Sequence, residues 1–345
     1  MEVKCESDRV WIEGMAGFGS GEYASSPHGC QARILQKLRE RMTYDDLICY
    51  SGFAFRIGMH EQLCPSAGHP CCGFECMHGS SALPWKVRLF ESFPWEEPKE
   101  DRDGFEAEAC AAIKASIDHG IPVHYGGEED GLIIGHADQG RRWWCVHPYH
   151  KNGRETFWHD EATGFAGGNW PWGIVVWTEP KPEEERVSDR DLTIAALGQA
   201  AEMCHTERCE DYFMGEAAYT YWLGWLSDVE SGKVDNPKDG MQGNGWCFDV
   251  LIHSRRIAGR WLREKAAGFR DPVAAAIKDA SDHYGQIAEH CMKDLNCPWD
   301  LALGPDRFGE WTSQLRQDQM ARLEVARKHD RAAIRAIENA LVLLK

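Results

Sequence analysis

The chain has 345 residues, a net charge of −17, 43% hydrophobic residues and 15 tryptophans. That is material for two packed domains, and it excludes an extended disordered chain. The acidic surplus excludes nucleic acid and anionic membranes as expected partners, since no basic run exceeds short pairs such as Arg141-Arg142 and Arg255-Arg256.

In chain order, the opening "MEVKCESDRVWIEGM" lacks the apolar core of an export signal, and no apolar run approaches the roughly 18 residues of a membrane span. The expected location is the cytoplasm, where the 14 cysteines stay reduced. "GFGSGE" (17–22) has no strand before it and no Walker lysine after it, so it reads as a lead-in. "SSPHGCQARILQKLRERM" starts a helix, with Ser26 able to cap it, Pro27 in the first turn and an apolar stripe at Ile34, Leu35 and Leu38. "TYDDLICYSGFAF" reads as a short helix and a turn. "EAEACAAIKASIDHG" is a helix stopped at Gly120. Strands follow in "IPVHYG", "GLIIGHA", "RRWWCVHP", "ETFWHD" and "WGIVVWTE", separated by Gly-rich or Asp/Asn-Gly turns, as antiparallel pairing requires. "TEPKPEEERVSD" is a linker. Helices are then expected near 189–204, 212–229, 244–267, 272–294 and 308–344, the last carrying Ile334, Ile337, Leu341 and Leu344 at helical spacing. The pattern predicts an α+β domain over 1–180 and an all-α helical bundle over 186–345.

The tract "HEQLCPSAGHPCCGFECMHG" concentrates Cys and His. Cys64, His69, Cys72 and Cys76 form a four-ligand subset that suits zinc or copper(I), although the spacing matches no standard finger. An irregular thiol-bearing loop and a redox pair (Cys71-Cys72, or Cys64 with Cys76) are the other readings. Cys204, Cys247 and Cys291 lie on helical apolar faces and read as small core residues. Trp143, Trp144, Trp158, Trp170 and Trp172 lie on or beside strands and read as core or cleft walls.

The order of helices followed by "GIPVHY…GLIIGHAD…WWCVHP…WGIVVW" resembles the papain-like fold of the C39-like peptidases. It is closer to the N-terminal domain of the butirosin biosynthesis H protein family. "TYDDLICYSGFAFR" (43–56) resembles the tract that follows the nucleophile helix there, and the likeness covers about residues 14–178. The resemblance implies a thiol-dependent acyltransferase or amide hydrolase acting on a small molecule, with a nucleophile at the start of the first helix. There the helix dipole lowers a thiol pKa and backbone N–H groups can stabilise an oxyanion. The family register puts Ser26 at that position, with Cys30 one turn on. The family's His position falls on Glu129, beside Asp130, and its Asp-Pro becomes His147-Pro148. Acid and imidazole therefore stand exchanged, and a triad of Cys30, His147 as base and Glu129 as orienter can be drawn. Asp130, Trp144 and Tyr149 would line the ligand pocket. The competing reading is a catalytically inactive papain-like module that binds its ligand through the same cleft, and a metal-binding protein built on the Cys/His tract is the third. No cofactor is expected apart from zinc at that tract. A carrier protein and a homo-oligomer are compatible partners, and the negative field favours a cationic or neutral ligand.

Overall fold

The computed structural model describes residues 2–15, 25–68, 82–93, 96–97, 99–127, 129–146, 156–159 (backbone only) and 170–345. The chain is mixed α/β, with antiparallel sheets and a helical C-terminal region. It divides into two compact units: Met1–Leu47 with Leu83–Arg186, and Ile48–Ala82 with Val187–Lys345.

Unit 1 holds one eight-stranded sheet. A hairpin of β1 (Val3–Glu6) and β2 (Arg9–Ile12) precedes helix α1 (Ser26–Leu38), and α2 (Tyr44–Tyr50) begins in this unit. Strand β4 (Trp85–Glu91) and helix α3 (Arg102–Asp118) lead into β5 (Val123–Gly126), β6 (Gly131–Ala137), β7 (Arg142–Val146), β8 (Thr156–His159) and β9 (Gly173–Pro180). Every pairing is antiparallel, in the order β1-β2-β6-β5-β9-β4, with β7 joining β6 to β8. The five strands expected from the sequence all form. The N-terminal hairpin and β4 were not expected.

Alternation along the strands divides this sheet into two faces. Val123, Tyr125, Ile133, Trp143, Cys145, Ile174 and Val176 pack with Ala109, Ile113 and Ile117 of α3. Leu132, Ile134, Val146 and Trp177 pack on the other face with Cys30, Ile34 and Leu35 of α1. Helix α3 stops where expected, at Gly120. Its φ of +75° lets Gly120 N–H reach Ile117 O at 2.8 Å while Ile121 N–H reaches Ser116 O at 2.9 Å. The cap of α1 differs from expectation. Ser25 holds that position, Ser26 is the first helical residue, and Ser25 Oγ bonds His28 Nδ1 at 2.6 Å.

Unit 2 is built on α4 (Asp189–His205), α5 (Gly215–Glu230), α6 (Lys238–Lys265), α7 (Val273–Met292) and α8 (Ser313–Leu343). Ser188 caps α4, accepting from Asp191 N–H at 3.1 Å. The stretch 48–82, kept in the N-terminal domain by the linear reading, clusters with these helices. Its strand β3 (Gly58–His60) pairs with β11 (Tyr212–Met214), which pairs in turn with β10 (Arg208–Cys209). Arg255 of α6, fully buried, donates to the carbonyls of Ala54 at 2.8 Å and Arg56 at 3.0 Å. Gly243 lets α6 pass so close to Leu63 that an added Cβ would lie 1.8 Å from Leu63 O. A second buried polar group ties α5, α6 and α8, where Trp222 Nε1 donates to Asn244 Oδ1 at 2.7 Å and Gln319 Nε2 donates to the same oxygen at 2.8 Å.

Candidate functional site

Three of the residues singled out in unit 1, Ser26, Glu129 and Asp130, meet where the first turn of α1 faces the β5–β6 hairpin. Packing of Ile34 and Leu35 against the sheet holds α1 there, and the hairpin register fixes the other side. Ser26 Oγ donates to Glu129 Oε2 and accepts from the Asp130 backbone N–H at 3.1 Å. Asp130 is buried, and its Oδ2 pairs with Nε2 of His124. His124 stands between Val123 and Tyr125, which face α3, so it belongs to the α1 face, opposite Leu132 and Val175. Its Nδ1 is buried and has no hydrogen-bond partner among the described residues. The result is a chain, Glu129–Ser26–Asp130–His124, that bolts the start of α1 to the hairpin. Ser25 adds a further tie, its N–H donating to Tyr44 Oη at 3.1 Å.

Cys30 lies one turn further along α1 and is 0% exposed, inside the core shared with Ile34, Leu132 and Trp177. Burial pushes its thiol well above the ordinary range, and the Asp130 and Glu129 carboxylates push the same way. The residue expected as the nucleophile is therefore sealed in the core, with its thiol held toward the protonated form. The activating start of the helix is a turn away, and every influence on the thiol opposes the thiolate.

The remaining expected residues fall in several places. Trp144 packs on the α1-side core and against Trp11, ring centres 5.5 Å apart. Trp143 and Trp170 are buried on the α3 side, 5.5 Å apart edge to face, so they belong to the core rather than to a cleft wall. His147 and Tyr149 lie outside the described residues; β7 ends at Val146, paired with Leu132. Of the metal subset only Cys64 is described, as a half-buried free thiol in unit 2, while His69, Cys72 and Cys76 lie outside the described residues. Among the described residues no group of three or more His, Cys, Asp and Glu side chains could hold a metal ion. Cys247 and Cys291 are core residues, with burial pushing each thiol up to about 12. Cys204 is half-buried, with its thiol pushed up to about 11 by burial first.

Sequence reasoning missed His124. The signal was present in a His on one strand and an Asp immediately before the next, since a tight antiparallel hairpin brings such positions together.

Chemically, Ser26 has a hydrogen-bond acceptor at its hydroxyl but not a matched base. A carboxylate is a weaker match than an imidazole for drawing a serine proton at neutral pH. Among the described residues no imidazole is hydrogen-bonded to Ser26 or Cys30. No protein-family model matches the chain, and no curated protein matches it.

Proposed function

We propose that unit 1 is a papain-like domain, related to the butirosin biosynthesis H type, that binds a small molecule without thiol chemistry. The observation that carries the reading is the pairing of Ser26 with Glu129 at the start of α1, above a fully buried Cys30. It occupies the place where the resemblance calls for a thiol and an imidazole. A serine tied to a carboxylate and to a main-chain N–H is a structural fastening first. Two adjacent carboxylates, Glu129 and Asp130, in a chain of net charge −17 favour a cationic or neutral ligand.

Iodoacetamide labelling of the folded protein tests this. Cys30 should react at least ~100-fold more slowly than in denatured chain, because alkylation then waits on opening of the core. Stoichiometric labelling of Cys30 at pH 6 in the folded protein would overturn the reading.

One observation favours a second reading, acyl transfer through Ser26. The Ser26 hydroxyl donates to a carboxylate at a helix start, where main-chain N–H groups could hold an oxyanion. Covalent capture of Ser26 by a fluorophosphonate, abolished in Glu129→Gln, would establish that enzyme; absence of capture sides with binding alone.

A further inference from the structure

Two histidines on neighbouring helices of unit 2 meet nitrogen to nitrogen. His283 of α7 and His329 of α8 have their Nδ1 atoms 3.0 Å apart, with ring centres 5.3 Å apart. The separation of centres exceeds that of the nitrogens by about two ring radii, so the rings meet head-on. That is the geometry of an N–H···N bond. Two nitrogens gripping one ion would instead converge on a point off the line between them.

Such a bond has a strict proton count. One nitrogen must carry hydrogen and the other must offer a lone pair. A neutral pair meets the condition, and so does a pair with a single added proton. A doubly charged pair has no acceptor and places two cations in contact.

We propose that His283 and His329 form a proton-sensitive latch between α7 and α8, closed until both rings are charged. The surroundings fit this role. Asp279, one turn before His283 on α7, has Oδ1 3.9 Å from His283 Nε2, so a carboxylate stands near the ring on the side away from His329. The groups acting on His329 come from both helices. Burial, then His283, then Lys328 of α8 and His290 of α7, all hold its imidazole below the ordinary range. The sign follows from linkage. Below the ordinary imidazole pKa, near 6.5, the unfolded chain takes up a proton that the folded chain resists, so the latch's contribution is complete above that pH and falls away beneath it.

The test uses the full chain and hydrogen exchange, corrected for the intrinsic pH dependence. Between pH 7.5 and pH 5.5, protection of the α8 amides around Ala326–Asp330 should fall in the wild type, as the proton that the folded chain resists is taken up. It should stay nearly constant in His329→Gln, and in His283→Gln should the first variant not fold. NMR should show His329 titrating below a free imidazole. Equal loss of protection in wild type and variants, or titration of His329 at or above the free value, would overturn the latch.

Discussion

Asp330→Ala is the most demanding test of how unit 2 is held together. Asp330 accepts from Arg255 Nε and Nη2, each at 2.8 Å, and from Tyr219 Oη at 2.6 Å. Arg255 is 0% exposed, and its remaining nitrogen serves the carbonyls of Ala54 and Arg56. Burial opposes the Arg255 charge, and the Asp330 carboxylate more than offsets it. Deleting that carboxylate leaves a guanidinium with neutral carbonyls for company and a buried phenol without its acceptor. Removing one partner of a buried pair costs about 3–5 kcal/mol, to which the lost phenol bond adds part of a further ~1 kcal/mol. At about 2–4 °C per kcal/mol for a unit of this size, the melting temperature should fall by about 6–20 °C. Thermal and urea unfolding followed by far-UV circular dichroism measure it. The combined variant Arg255→Met with Asp330→Leu should recover part of the loss, because both charges then leave together. The recovery is incomplete, since the Ala54 and Arg56 carbonyls lose their donor. A loss below about 1 kcal/mol for Asp330→Ala, the scale of an exposed ion pair, would refute the assignment of this network as the clamp on residues 54–56.

Other substitutions probe separate contacts. Ser26→Ala should cost about 1–3 kcal/mol in urea unfolding, because the buried Asp130 N–H loses its acceptor; an unchanged midpoint would mean that the fastening carries no stability. Gly243→Ala should destabilise by about 3 kcal/mol or more, since the new methyl meets the Leu63 carbonyl rather than a movable side chain. Glu216 gives a pH test: burial raises its carboxyl, but hydrogen bonds from Arg331 and Arg327 outweigh that and leave it below the usual carboxylate range. Its contribution is therefore present above the unfolded pKa and lost as pH falls through the lower folded value. Glu216→Gln should lose less stability than wild type between pH 5 and pH 3, by a small margin because the side chain is 40% exposed.

Local chemistry was legible in the sequence, and spatial partnership was not. Apolar periodicity located the strands from Val123 to Pro180 and the five C-terminal helices, because one face of each must leave water wherever it docks. Gly120 announced its role because a left-handed stop needs only the adjacent backbone. Ser26 and Glu129 could be nominated by register, yet their hydrogen bond spans 103 positions and depends on α1 lying against the hairpin. Ser26 and Cys30 share a helix face, so the sequence had no means of ranking them. Packing did: one turn separates a residue at the polar start of α1 from one sealed beneath Ile34 and Trp177, and burial reverses what the helix start would do to a thiol. The affiliation of residues 48–82 was likewise decided in three dimensions, by contacts such as the buried guanidinium from α6 that donates to the Ala54 and Arg56 carbonyls about 200 positions away.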